Sequence, residues 1–223
     1  MLKTLRHKKI LVTAGPTWIP VDAIRVLSNI SSGLTGTLIA RYAAAQGAGV
    51  TLLLGPGSLE KDRTLRGKRQ KLKIIRFKYF SELDGLLKKE LRRQKYDVII
   101  HSAAVADYKP AKRIKKKIKS GKDDLSILLK PTAKLIDKIK RYARGSFLVM
   151  FKLETERSKN RLINTAYKNM MRSKADLVVA NNLKDITKNR HKAYIIDSKR
   201  KAISVNTKEE LADRLFGMIS ERL

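Results

Sequence analysis

Cysteine is absent from the 223-residue chain, and the three histidines (His7, His101 and His191) lie far apart. Without thiols there is no disulfide scaffold, no thiolate zinc or iron–sulfur site and no thiol nucleophile. Three scattered imidazoles do not make a histidine-rich metal site, so no metal ligand is expected from the side chains. Long apolar runs are also missing: none approaches the roughly 20 residues that span a bilayer. The basic opening from Met1 to Lys9 precedes only Ile10–Val12 before Gly15-Pro16 stops it, too short for the apolar region of a signal peptide. A cytoplasmic chain without membrane contact is expected. Acidic residues are scarce, 20 Asp and Glu against 51 Lys and Arg, which leaves a net charge of +31. Such a field attracts nucleic acid, anionic membranes and small phosphorylated molecules alike, and does not choose among them. Hydrophobic residues make up 43% of the chain, enough for a core, so the charge excess is not that of a disordered basic tail.

What is present is an alternation of buried-strand and helix patterns. Lys9–Ala14, Gly49–Leu54, Lys71–Phe77 and Asp97–Ala104 read as strands. Gly36–Gly47 and Phe80–Lys95 read as helices, the second with Leu83, Leu86, Leu87 and Leu91 on one face. Strands apolar on both faces imply a mostly parallel sheet covered by helices on both sides, a Rossmann-like three-layer α/β sandwich. Eight basic residues, Lys109, Lys112, Arg113, Lys115, Lys116, Lys117, Lys119 and Lys122, then fall within fourteen positions. That stretch cannot be core, and 108–124 is expected to be a loop or flap. Beyond it, Leu125–Leu129 is expected as a strand, Ala133–Arg144 as a helix, Phe147–Phe151 as a strand and Lys159–Arg172 as a helix. Asp176–Ala180 is a further strand, Tyr194–Asp197 and Ala202–Val205 a hairpin, and a terminal helix starts at Lys208. No linker or repeat divides residues 1–223, so one domain is expected.

Open parallel sheets bind ligands at the carboxyl ends of their strands, where the strand order reverses. Four strand exits carry small or polar residues: Ala14-Gly15-Pro16-Thr17, Ala103 through Asp107, Lys152-Leu153-Glu154-Thr155 and Asn181-Asn182. The segment from Ser28 to Gly36 enters the first clear helix with hydroxyls, an amide and two glycines. It reads either as an anion cradle of backbone N–H groups or as a serine-capped helix start. It is neither a dinucleotide fingerprint nor a Walker loop, since Gly-x-Gly-x-x-Gly and Gly-Lys-Ser/Thr are both missing. With no acidic residue closing the second strand, a nicotinamide dehydrogenase is disfavoured. Trp18 reads as a ligand cover or as packing, and His101 as a core or rim residue.

Five blocks, VTAGPT (Val12–Thr17), Asp22 through SNISSG to Gly36, SAAVADYKP (Ser102–Pro110), Lys117 through DLSILLKPT to Thr132, and ADLVVANN (Ala175–Asn182), with MFKLET (Met150–Thr155), stand in one order across nearly the whole chain. In these the chain resembles the phosphopantothenate–cysteine ligase domain of coenzyme A biosynthesis. The resemblance implies a two-step reaction. CTP or ATP, accompanied by Mg2+, activates the 4′-phosphopantothenate carboxylate as an acyl-nucleotide and releases pyrophosphate; the cysteine amine then forms the amide. It further implies catalytic roles for Asn29, which stabilises the acyl-nucleotide, and Lys117, the flap lysine. Nucleotide binding is implied for Gly15, Ser31, Ala103, Asp107, Lys117, Ala133, Lys134, Leu135, Ile136 and Phe151, and phosphopantothenate binding for Asn29, Ala104 and Asn181. A homodimer is implied as well. The flavin-dependent decarboxylase often fused ahead of this domain is not matched, so no FMN is expected.

The chain departs from the family pattern at Trp18, Leu34, Thr35 and Met150. It departs also at Asn169 and Ser173, where bacterial members carry lysines and where Lys168 and Lys174 stand one place off. These departures leave CTP and ATP both open. They also leave a second reading: a catalytically weakened homologue acting as a nucleic-acid-binding or regulatory protein through non-specific charge.

Overall fold

The computed structural model describes residues 5–57, 71–121, 124–155, 158–187 and 190–223. In chain order the elements are β1 (Lys9–Ala14), β2 (Trp18–Pro20), β3 (Val26–Ser28), α1 (Leu34–Ala45), β4 (Gly49–Leu54), β5 (Leu72–Arg76), α2 (Phe80–Arg93) and β6 (Val98–His101). There follow β7 (Tyr108–Pro110), β8 (Leu129–Pro131), α3 (Leu135–Tyr142), β9 (Phe147–Glu154), α4 (Lys159–Ser173), β10 (Leu177–Ile186), β11 (His191–Asp197), β12 (Ala202–Val205) and α5 (Lys208–Ser220).

One sheet holds eight of these strands, in the order β5-β4-β1-β6-β9-β10-β11-β12. The first six run parallel; β11 and β12 add an antiparallel edge. From β1 the chain moves outward through β4 to β5, then returns to place β6 on the other side of β1. The strand order therefore reverses between β1 and β6, and the crevice above their carboxyl ends is the natural ligand position.

Side-chain alternation along β1 divides the core. Ile10 and Val12 join Ile39, Ala43, Leu211 and Phe216 beneath α1 and α5. Leu11 joins Leu83, Leu87, Ile139, Leu162 and Met170 beneath α2, α3 and α4. Successive strand residues point to opposite faces, so a continuous apolar run such as Ile10-Leu11-Val12 supplies both layers at once. The expected Rossmann-like three-layer sandwich is the observed fold.

Several expected bounds are corrected. Helix α1 starts at Leu34, not Gly36, because Gly33 takes a left-handed conformation (φ 68°) that turns the chain into the helix. The fourth expected strand ends at His101, since Ser102 onward bonds across to β1 and its exit. Strand β9 runs on to Glu154, so Lys152–Glu154 lie within the sheet; β10 likewise runs past Ala180 to Ile186, with a register shift after Asn181. The strand expected at Leu125–Leu129 is displaced to Leu129–Pro131, where it pairs with Tyr108–Pro110. Residues 125–128 form no strand, and their side chains face solvent, Leu128 at 80% exposure, so no core burial holds them extended. The basic flap is thus rooted in a short antiparallel ribbon, β7–β8. A second small ribbon, β2–β3, was not anticipated; Trp18 pairs there with Ser28 and is half-buried. Lys122 of the flap falls outside the described residues.

Candidate active site at the strand-order reversal

Two glycines let the elements converge above β1 and β6. Gly15 leaves β1 at φ 82°, and a Cβ there would meet the Gly55 backbone at 3.0 Å. Gly36 lies in the first turns of α1, where a Cβ would sit 2.7 Å from the Ala14 Cβ and against Ser102. The start of α1, whose first amides lack helical carbonyl partners, is thereby pressed onto the reversal. Just ahead of it, the Ser31 Oγ accepts from the Gly33 N–H (3.3 Å) and the Ser32 Oγ from the Leu34 N–H (3.4 Å).

Three threonines fasten the segment that leaves β6. The Thr13 hydroxyl oxygen accepts the Ala103 N–H (3.2 Å) and lies 2.9 Å from His101 Nδ1. A hydroxyl proton directed to Nδ1 would make the ring the acceptor there, with Nε2 carrying the ring proton. That assignment suits a neutral ring, and burial pushes the His101 pKa down to about 4. The Ser102 hydroxyl donates to the Thr13 carbonyl at 2.6 Å. Buried Thr17 accepts the Ala106 N–H at 2.9 Å, and the Thr132 hydroxyl donates to the Ala106 carbonyl at 2.7 Å. Residues 102–107 are therefore clamped between the exit of β1 and the far strand of the flap root. None of Thr13, Thr17 and Thr132 was singled out in the sequence, although each lies in a quoted block; the signal was a hydroxyl among otherwise apolar or small neighbours.

Asn29, exposed just past β3, donates from Nδ2 to the Val105 carbonyl at 3.0 Å. Asp107, at the foot of the flap, carries an exposed carboxylate that pairs with the Lys134 ammonium at 2.5 Å. Lys117, exposed on the flap, is next to Ile118, whose N–H donates to Asp22 Oδ2 at 3.0 Å. Asn29 and Lys117 thus border the same β2–β3 ribbon, one following its last strand and the other beside its turn. Gly15, Ala103, Ala104 and Asn29 meet at the reversal, Asp107 stands at the root of the flap, Ser31 lies just ahead of α1, and the flap touches the ribbon at Asp22.

Other expected site residues stand apart from this group. Leu135 and Ile136 are buried in the layer under α2–α4, at the start of α3, and of this stretch only Ala133 and Lys134 are exposed. The Phe151 side chain packs on the opposite face of the sheet, against the α1–α5 layer. Asn181 is buried, and its Nδ2 lies 3.1 Å from His191 Nε2, a pair linking β10 to β11. Burial first, then the Lys208 charge, push the His191 pKa down to about 4 against the opposing pull of Glu209. Among the described residues, no cluster of three or more His, Cys, Asp or Glu forms a metal cage.

Residues 5–223 match the family model of the DNA/pantothenate metabolism flavoprotein C-terminal domain. The chain belongs to this family. It is 37% identical over 222 residues to the coenzyme A biosynthesis bifunctional protein CoaBC of Thermococcus kodakarensis, covering 99% of this chain and 53% of that protein. It is 33% identical over 218 residues to the protein of the same name from Borreliella burgdorferi, covering 96% and 53%. The chain thus spans about half the length of these curated relatives. Among solved structures, the DNA/pantothenate metabolism flavoprotein from Streptococcus pneumoniae superposes with a TM-score of 0.86 at 28% identity, covering 97% of this chain and all of that one. The C-terminal domain of a CoaBC protein superposes at 0.77 and 25% identity, covering 98% and 97%.

Proposed function

We propose that this chain joins 4′-phosphopantothenate to cysteine through an acyl-nucleotide, using CTP or ATP. The observation that carries the reading is the placement of Asn29: its amide is held on the Val105 carbonyl at the strand-order reversal, beside the ribbon that also meets the lysine flap. A carboxylate is a poor acylating agent. Attack of its oxygen on the α-phosphorus of the nucleotide, with departure of pyrophosphate, creates a leaving group. The neutral cysteine amine then attacks the acyl carbon, the nucleoside monophosphate leaves with the bonding electrons of the old C–O bond, and the nitrogen gives up one proton, keeping the other as the amide N–H. In this scheme Asn29 stabilises charge on the acyl oxygen, and Lys117 neutralises charge that builds on the phosphates. Ser31 and the α1 start receive a phosphate group; Ala104 borders the phosphopantothenate.

The donor set suits Mg2+ that arrives on the triphosphate rather than in a protein cage, because the nearest acid, Asp107, is already engaged by Lys134. When bound, that ion supplies charge neutralisation on the phosphate oxygens. Asn181 and Phe151 act indirectly in this reading, by fixing β10 and the α1–α5 face. Ile24, Ile30, Leu125 and Leu128 are exposed along the two ribbons. This supports a homodimer closed over that strip; a single-chain mass by light scattering would overturn it. No helix among the described residues is long and apolar enough to cross a membrane, which fits action in the cytoplasm.

The deciding experiment is pyrophosphate release with 4′-phosphopantothenate and each of the four ribonucleoside triphosphates, with and without cysteine. Release with CTP or ATP, and amide product only when cysteine is added, is expected. No release with any nucleotide overturns the ligase.

A further inference from the structure

The Asp22 side chain has no exposed surface, yet it sits in a ribbon turn at the molecular periphery. Burial by itself opposes its charge. Four donors outweigh that cost: the N–H groups of Ile118 (3.0 Å), Ile24 (2.9 Å) and Arg25 (2.8 Å), and the Arg25 guanidinium. Together they hold the carboxyl well below its ordinary range. The bonds from Ile24 and Arg25 are local and shape the turn, as Asp side chains commonly do. The bond from Ile118 spans 96 positions of chain and has no role in the turn. Arg25 adds a second grip on the same flap residue, its guanidinium donating to the Ile118 carbonyl at 3.4 Å. Both backbone groups of Ile118 are therefore held, one by each member of the Asp22–Arg25 pair. Its neighbours on the flap, Lys115, Lys116, Lys117 and Lys119, are all exposed, while Ile118 is half-buried.

We propose that Asp22 is a positioning residue: its carboxylate, with Arg25 as counter-ion, pins the flap at Ile118 and so presents the adjacent Lys117 to the nucleotide. The inference rests on the ligase reading for the role of Lys117, and on the structure alone for the pin. A flap of exposed lysines repels itself and would sample many conformations. Each would have to be given up when the flap closes on a triphosphate. A charge-assisted bond at the middle of the flap removes part of that ordering cost beforehand. A neutral hydroxyl in the same place would leave the Arg25 charge unbalanced and grip the amide more weakly.

The test uses the full chain with Asp22→Asn, Ile118→Pro, Lys117→Ala and the double variant Asp22→Asn/Lys117→Ala. Asp22→Asn removes the charge; Ile118→Pro removes the N–H that Asp22 accepts, together with the half-buried isoleucine side chain, while leaving the Asp22–Arg25 pair and its turn in place, so it tests the pin should the first variant fold poorly. Amide hydrogen exchange is read at Ile118 and, as an internal reference, on β1 and β6. Pyrophosphate release is read under the same conditions. Asp22→Asn is expected to speed Ile118 exchange roughly tenfold or more, with β1 and β6 unchanged. It and Ile118→Pro should each slow pyrophosphate release by a similar factor. The double variant should be no slower than Lys117→Ala, because the pin acts through that lysine. Unchanged Ile118 exchange, or effects of Asp22→Asn and Lys117→Ala that multiply, would overturn the proposal. A native chain that releases no pyrophosphate overturns the ligase instead. The two failures are distinguishable because the exchange measurement does not depend on turnover.

Discussion

Gly36 and Ser102 approach so closely that a Cβ on the glycine would lie 2.3 Å from the serine Oγ. The serine cannot readily move away, because its hydroxyl donates to the Thr13 carbonyl at 2.6 Å. A helix residue, a loop residue and the last turn of β1 thus share one contact, and it brings the start of α1 onto the strand-order reversal.

Gly36→Ala is expected to destabilise the chain by about 2 kcal/mol, the usual cost of overfilling a packed contact. Urea denaturation measures it. Adding Ser102→Ala should recover only part of the loss, since the Ala14 Cβ remains 2.7 Å from the new methyl group. Full recovery would show that Ala14 yields and the serine alone sets the spacing.

Asn29→Ala should still release pyrophosphate but form amide at least tenfold more slowly, so that the acyl-nucleotide accumulates. Its exposed side chain and its single bond to the Val105 carbonyl predict little change in melting temperature. Chromatography of quenched reactions separates the intermediate from the product. Normal amide formation would remove Asn29 from the chemistry.

Lys117→Ala should slow pyrophosphate release, whereas Lys115→Ala and Lys116→Ala should not, although all three are exposed flap lysines. Affinity for arbitrary DNA, by contrast, should fall alike in all three variants and fall steeply with added salt. Equal effects of the three on turnover would make the flap a cloud of charge rather than a lid with one working lysine.

Stability should decline as pH falls from about 6.5 toward 4. His101 and His191 both have folded-state pKa values lowered to about 4. Between those limits the unfolded chain binds protons that the folded chain does not, so unfolding is favoured on the acid side. Well above pH 6.5, from about pH 7.5, both rings are neutral in either state and their contribution to the dependence vanishes. Each histidine contributes on the order of 3 kcal/mol over the window. Urea midpoints across pH 4 to 8 for the parent and His101→Gln measure the share of His101; identical slopes would mean that its ring is not the buried titrating group.

The layered sheet was legible because its cause is local. Lys9–Ala14 and Gly49–Leu54 were read with the bounds they have in the structure, since an unbroken apolar run has few places to go other than a strand covered on both faces. The misplaced strand at Leu125–Leu129 shows the limit of that rule. Leu125, Ile127 and Leu128 are as apolar as the core strands, yet they face solvent, and hydrophobicity alone does not say which partner a segment will cover. Asn181 shows the same limit for a polar residue: its place beside Asn182 suggested a strand exit, but β10 continues, and its amide meets a histidine on the next strand.

Composition and pattern were sufficient for the α/β class, the basic flap and the order of the family blocks, because hydrophobic periodicity, charge and motif are properties of neighbouring residues. The pairing of Thr13 with His101 across 88 positions, the clamp of Thr17 and Thr132 on residues 102–107, and the grip of Asp22 on Ile118 were settled only when the sheet was assembled. Each of these bonds joins groups that no local preference brings together. The strand order and the close approach allowed by Gly15 and Gly36 fix where they meet.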